Sequence, residues 1–273
     1  MNFIHLRALS ILSTLLVLGV NVHAEESVDE IIDASIKASG GYEAIDKVKS
    51  LSRSGDVSMT IVGQNVTGST EVAIVPWQKF NEVTNLSVFT LERGWNGTIG
   101  WQNGPQGLKK MLPEELALAR FQAALNPLLG HRTLRLLGFQ ISKLGDEKID
   151  DRPQTVIKVT IDENSNLDFD IDKQTRLLTR MTFNRKVPQL NFTVSIDIDY
   201  RDYKEFDGIK LPTKVSVVMG DLFKSETVYK ETKLNGAVND KIFEMPVTEN
   251  VPADSKPKEE SKEPKKESPP AAK

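Results

Sequence analysis

The chain has 273 residues, 39% of them hydrophobic and 27% charged, which describes a globular chain of one large domain or two small ones. Its formal net charge of -3, with no basic cluster opening a groove-binding element, argues against a nucleic-acid partner. With Cys 0, the composition excludes disulfides, thiolate nucleophiles, Cys-ligated metals and a lipid anchor on an N-terminal cysteine.

The first element in chain order is a targeting segment. Arg7 and the amino terminus give a positive start, Ala8 to Val20 an apolar core, and Val22-His23-Ala24 a small-residue cleavage site. The apolar run is shorter than the roughly 20 residues that span a bilayer, so residues 1–24 read as a signal peptide cleaved after Ala24. An exported chain without disulfides belongs most naturally in a bacterial periplasm. Export removes His5 and His23 and leaves His131 as the single histidine, beside Gly130 and Arg132 at an expected helix end. Zinc hydrolases and Ser-His-Asp sites need partnered histidines, so His131 reads as surface or cap chemistry.

Ser27 with Glu30 three residues on has capping-box spacing, and Val28, Ile31, Ile32, Ser35 and Ile36 share one helical face. Gly40-Gly41 stops that helix, and a short turn of helix follows around Glu43 to Val48. From Leu51 the period becomes two: Leu51, Gly55, Val57, Met59 and Ile61 alternate with polar residues. Val66 to Val75 forms the next strand and Pro76 breaks it. Shorter strands are expected around Phe80 to Val83, Leu86 to Leu91 and Trp95 to Trp101.

The middle is helical. Pro113 at a first turn, with Glu114 and Glu115 at the positive end, starts a helix running to about Leu125. Leu118, Phe121, Leu125 and Leu128 form its stripe, and Asn126-Pro127 separates it from a second short helix towards Arg135. Alternation then returns at Leu137 to Ile141, Ile157 to Ile161, Leu167 to Ile171 and, most clearly, Leu190 to Tyr200. Ile209 to Met219 and Leu222 to Leu234 complete the set. Roughly ten or eleven strands with short turns read as an antiparallel sheet with one wet face, a mainly β (α+β) chain. From residue 252 to 273 only Lys, Glu, Pro, Ser, Ala and Asp remain, so this tail reads as disordered, leaving residues 25–251 as the folded domain.

A sheet this wide must pair with a second sheet, close, or curl around the helices. Curled around so few helices, it leaves an unfilled apolar concavity suited to hydrophobic ligands; packed as a sandwich, it leaves none. Other motifs carry less. Asp162 opens like a calcium loop, but position six is Leu167 and position twelve Lys173, so it is a hairpin turn. Asp168, Asp170 and Asp172, with Asp197 and Asp199, read as solvated outer-face carboxylates. G-x-S-x-G, Walker A and G-x-G-x-x-G elements are absent from the sequence. No catalytic residue, metal ligand or cofactor is assigned.

Several short motifs in order along the chain resemble the periplasmic lipoprotein carrier LolA and its relatives. They are Val75-Pro76 with Phe80, Trp95-Asn96-Gly97 leading to Trp101, the Pro113-started helix, and Asn239-Asp240 to Phe243-Glu244-Met245-Pro246. Asp150-Asp151-Arg152-Pro153, and Tyr200-Arg201-Asp202 to Phe206-Asp207-Gly208-Ile209-Lys210-Leu211-Pro212, are similar to exported proteins described as outer-membrane lipoprotein-sorting-like. The resemblance implies an unclosed antiparallel β-barrel covered by helices, with a cavity for acyl chains beneath a mid-chain lid. The family places an arginine before the strand-breaking proline to hold the lid. Here that position is Val75, and Arg53 and Arg120 are the candidate lid contacts in its place.

The expected lining of the cavity is Trp77, Phe80, Phe89, Trp95 and Trp101 from the sheet and Leu118, Phe121 and Leu125 from the lid. The expected function is a non-enzymatic periplasmic carrier or sensor of a lipid or lipoprotein acyl chain, acting as a monomer, with envelope membrane proteins as further partners. The alternative from the residues alone is an envelope interaction module with a filled core.

Overall fold

The computed structural model describes residues 25–124, 138–187 and 192–246. The expected signal segment, the second short helix, Leu125, Leu128, His131 and the charged tail lie outside the described residues.

The chain folds as two antiparallel meanders that meet in the middle of one sheet. The first runs through β1 (Leu51–Ile61), β2 (Gln64–Val75), β3 (Lys79–Leu86), β4 (Thr90–Trp95), β5 (Gly100–Asn103) and β6 (Lys109–Lys110). After helix α3 (Pro113–Gln122), the second runs through β7 (Gln140–Ile149), β8 (Arg152–Thr160), β9 (Ser165–Asp172) and β10 (Leu178–Val187). It ends with β11 (Phe192–Phe206), β12 (Ile209–Met219) and β13 (Phe223–Leu234). β13 pairs with β1 from Leu51 opposite Leu234 to Ile61 opposite Phe223. The sheet order is therefore β6-β5-β4-β3-β2-β1-β13-β12-β11-β10-β9-β8-β7. Its two edges, β6 and β7, do not pair, and they are the strands that flank α3 in sequence. The result is an unclosed antiparallel barrel whose seam faces the helical segment.

The described sheet has thirteen strands against the ten or eleven expected. β10 has no counterpart among the expected strands, although Met181 and Phe183 alternate with Arg180, Thr182 and Asn184 along it. The two-residue β6 is too short to leave a periodic signal. The expected strand Trp95 to Trp101 is instead a hairpin. Gly97 adopts φ 95°, and the Asn96 side-chain oxygen accepts from the Thr98 and Ile99 amides at 3.0 and 2.8 Å. This Asn-Gly turn chemistry outweighs the β propensity on either side. Leu86 to Leu91 likewise contains the β3–β4 turn. Lysines on β6 and a register shift between Lys143 and Gly145 on β7 protect the two edges from further pairing.

Helix α1 (Val28–Ala38) begins with the expected capping box: Glu30 accepts from the Ser27 amide at 2.8 Å. Its apolar stripe, Ile31, Ile32 and Ile36, is fully buried in one cluster with Ile157, Leu167, Phe169, Ile171, Met181 and Ile198. Burying each such side chain is worth about 1.5–3 kcal/mol, so this helix fixes the concave face of β8–β11. Its C-terminal end docks on the turn between β11 and β12. The Lys210 amide donates to the Ser39 carbonyl at 3.0 Å, and a Cβ on Gly40 would lie 2.5 Å from the Gly208 carbonyl oxygen. With the short helix α2 (Tyr42–Asp46), α1 thus plugs the barrel end at which β1 starts.

Candidate ligand cavity

Beyond the plug the concave face is not filled. Between β1–β4, β11–β13 and α3 lies a cavity of about 650 Å³, within the roughly 300–1,000 Å³ typical of small-molecule sites. Strand alternation builds its wall. On β1, Arg53, Val57 and Met59 project inward from one face; on β12, Val215, Val217 and Met219 do the same, and on β13 Phe223, Ser225, Thr227 and Tyr229. Val72, Ile74 and Phe80 complete the far side, and Leu118, Phe121 and Ala124 close it from the helical segment.

α3 is held over the seam by specific contacts. Pro113 occupies its first turn, and Glu115 accepts from the Leu112 amide at 2.7 Å, so the helix starts where the sequence places it. The Phe121 ring stands 6.1 Å from Trp77, edge to face at 76°, and 6.0 Å from Phe169. It therefore bridges the β2–β3 turn and the second meander. Trp77 adopts φ 60° in that turn, a conformation that costs a bulky residue on the order of 1–3 kcal/mol, offset here by packing against Phe121. The Arg120 guanidinium lies 5.1 Å from the centroid of Trp95, pinning the exposed side of α3 to the sheet.

The sequence-derived candidates divide into three groups. Phe80, Leu118, Phe121 and Arg53 line the cavity. Trp77, Trp95 and Arg120 lie outside the lining and hold α3 in place. Trp101 and Phe89 lie elsewhere, and Leu125 lies outside the described residues. Trp95 pairs with Gly100 and Gly94 with Trp101, so the two indoles leave the sheet on opposite faces. Trp101 is 0% exposed and covers Gly94, where a Cβ would lie 2.2 Å from its ring. Phe89 is half-buried in the β3–β4 turn, its carbonyl accepting from the Leu86 amide at 2.9 Å.

The sequence singles out Arg53 as a candidate lid contact but not the polar cluster it belongs to at one end of the cavity. Arg53 is 9% exposed. Its Nη2 donates to the Pro212 carbonyl, its Nε to Thr232 at 3.4 Å, and its guanidinium stacks 3.6 Å over the Tyr229 ring. Burial lowers its pKa to about 10, so it remains protonated at neutral pH. Tyr203 and Tyr229 face it, and Tyr200 lines the same cavity beside them; burial pushes Tyr229 up to about 12 and the other two further. Tyr203 donates to the Leu178 carbonyl at 2.6 Å. A second charged pair, Arg93 with Glu82 at 2.5 Å, sits on the β3–β4 wall. The tyrosines lie on strands far from β1 in sequence, and only the β1–β13 pairing brings them to Arg53.

The outer-face carboxylates differ from expectation. Asp170 and Asp172 are 3% and 1% exposed rather than solvated. Glu147 of β7 and Arg180 of β10 flank Asp170, and Asp172 accepts from the Gln174 and Thr175 amides at 2.9 and 2.8 Å; the other carboxylates are bonded across strands. Arg180 donates to Asp199 at 2.7 Å, Thr182 to Asp197 at 2.8 Å, and Asn166 and Asn184 to Asp168 at 2.9 Å. Among the described residues no cluster of three or more His, Asp or Glu side chains is placed to hold a metal ion. Asp162 accepts from the Asn164 amide at 2.7 Å in the β8–β9 hairpin turn.

No family model matches the sequence, and no curated protein matches it. Solved structures match the fold. A DUF1329 family protein from Desulfovibrio piger superposes with a TM-score of 0.54 at 12% identity, covering 80% of this chain and 98% of its own. A putative outer membrane lipoprotein-sorting protein domain from Vibrio parahaemolyticus gives 0.53 at 10% identity, covering 78% and 95%. A LolA superfamily protein from Nitrosomonas europaea gives 0.53 at 14% identity, covering 80% and 97%. The fold is LolA/LolB-like.

Proposed function

We propose that the protein is an exported carrier or sensor that holds the acyl chain of a lipid or lipoprotein in the cavity beneath α3. The observation that carries this reading is the apolar cavity of about 650 Å³ left open on the concave face, with a helix laid across the only unpaired seam among the described strands. What the wall offers is chiefly apolar contact, from Val57, Met59, Val217, Phe223, Leu118 and Phe121. Each CH₂ moved from water into such a wall contributes about 0.8 kcal/mol, which is what an acyl chain needs to cross an aqueous compartment. A helix held by ring contacts, rather than by strand hydrogen bonds, is suited to open and admit the chain. The likeness to a lipoprotein-sorting domain and a LolA superfamily protein supports the reading at the level of fold.

The test is native mass spectrometry of the chain purified from its own envelope, followed by extraction and identification of whatever is bound. One acylated molecule per chain is expected, together with an amino terminus beginning at Glu25. Phe121→Asp should abolish retention while the sheet signal in circular dichroism persists. An apo mass combined with no uptake of added lipid would overturn the carrier reading and leave an envelope interaction module in its place.

A further inference from the structure

The cavity is not uniformly apolar, and Arg53 is the most buried charged side chain in its described lining. Arg53 carries five N–H donors, of which the described structure uses two, one on the Pro212 carbonyl and one on Thr232. No carboxylate among the described residues pairs with it. Its Nη1 has no acceptor among the described residues, yet it is not among the sealed side-chain atoms there that lack a partner, Ser35 Oγ, Trp95 Nε1 and Trp101 Nε1. It therefore borders open space within the cavity. The hydroxyls of Tyr200 and Tyr229 are in the same condition: both side chains line the cavity, and neither hydroxyl bonds a protein atom among the described residues.

A protonated guanidinium nine-tenths buried without an anion is costly, and replacing such a group by an apolar one is often stabilising. The fold nevertheless builds a place for it. Gly55, two residues on, is the point where β13 shifts register, and a Cβ there would lie 2.2 Å from the Val228 carbonyl oxygen. That close approach brings the Tyr229 ring flat against the guanidinium. Arg53 also sits at the closed end, near the turn on which α1 docks. From there to Met59 the β1 wall runs for about 20 Å, and it is apolar.

We propose that Arg53, with the hydroxyls of Tyr200 and Tyr229, is the binding point for the anionic head of a single amphiphile whose chain lies along the Val57–Met59 wall. The recognised chemistry is a carboxylate or phosphate oxygen pair, which the planar guanidinium fork matches. The inference rests on the carrier reading and specifies the ligand's head and its orientation, head inward and chain towards the β1–β2 and β12–β13 turns.

The experiment measures binding of oleate and oleyl alcohol, and of phosphatidic acid and diacylglycerol, to the full chain, its Arg53→Met variant and its Tyr229→Phe variant. Charge-assisted hydrogen bonds predict a preference for the anionic member of each pair of roughly 10–100-fold in the wild type. In Arg53→Met the two affinities should converge, and in Tyr229→Phe, which keeps the stacked ring, the preference should fall several-fold. A preference in only one pair identifies the head as carboxylate or phosphate and supports the proposal. Equal affinities in the wild type, or a preference retained in Arg53→Met, overturn the anion site and leave the carrier reading standing. If none of the four lipids binds, the carrier reading fails and the head site with it. Acetate or inorganic phosphate binding as tightly as the lipid would assign the site to a free anion and overturn the headgroup assignment. Should Arg53→Met not fold, the wild-type ratio and Tyr229→Phe decide.

Discussion

Strands β8–β10 and strands β1–β3 with β12–β13 carry the same apolar alternation, yet α1 is packed into the first group while a cavity lies beside the second. Ile31, Ile32 and Ile36 of α1 fill the concave face of the second meander, and Ile157, Leu167, Phe169 and Ile171 beneath them are sealed. On the other side Val72, Val215, Val217, Met219 and Phe223 are only half-buried, and they line the cavity. Alternation states which face of a strand is apolar. What covers that face is decided by the placement of helices, and among the described residues α1 covers only the second meander.

The sharpest way to break the comparison is to truncate one residue on each side. Ile32→Ala leaves a hole in close-packed material and should cost about 2–5 kcal/mol in urea unfolding. Val217→Ala enlarges a space that already exists and should cost about 1 kcal/mol or less. Equal losses would mean that the open side is as tightly packed as the filled one, and the cavity would cease to be a distinct region. A second test fills the space instead. Val217→Trp should raise the melting temperature of the ligand-free chain. It should also abolish the stabilisation that a bound lipid gives the wild type, about 2.7 kcal/mol at a hundredfold excess over Kd.

Behind the filled half lies a third test, on the outer face. Burial, and secondarily the charge of Glu147, pushes the Asp170 carboxyl up to about 7, against Arg180 acting in the opposite direction. A carboxyl raised in the folded state keeps a proton that the unfolded chain releases. Stability should therefore fall as pH rises from about 4 to about 7 and then level off. Asp170→Asn removes that slope: its melting temperature should exceed the wild type's at pH 8 and approach it at pH 4.5. Parallel profiles for the two proteins would show that Asp170 titrates normally.

Much of this architecture was legible in the sequence, and the part that was not has a physical reason. The α1 capping box, the Pro113 start of α3 and the inward parity of Arg53, Val57 and Met59 are local patterns, and all appear in the structure. The strand expected at Trp95 to Trp101 is a hairpin, because the Asn96-Gly97 turn outweighs the β propensity on either side. The three tryptophans were expected to line one cavity, but register decides faces. A one-residue offset across β4 and β5 sends Trp101 to the side opposite Trp95. The cluster of Arg53 with Tyr200, Tyr203 and Tyr229 had no local signal at all. It exists only because the first strand pairs with the last, a contact between residues almost two hundred positions apart (Leu51 with Leu234).

The smallest expected effect concerns the seam where the two halves meet. Arg120 is exposed, and its guanidinium lies 5.1 Å from the Trp95 centroid. A cation–π contact of that kind is worth about 0.5–1 kcal/mol, too little to shift global unfolding clearly. It acts on α3 alone, so its removal should appear as local opening. In Arg120→Ala, amide hydrogen exchange across α3 should quicken about two- to fivefold, while α1 amides keep their protection. Lipid uptake, if admitted through this helix, should quicken by a similar factor, since both processes would pass through the same opening. Unchanged exchange in α3 would place its anchoring on Phe121, held between Trp77 and Phe169, and would make that single ring the latch between the filled and the open half.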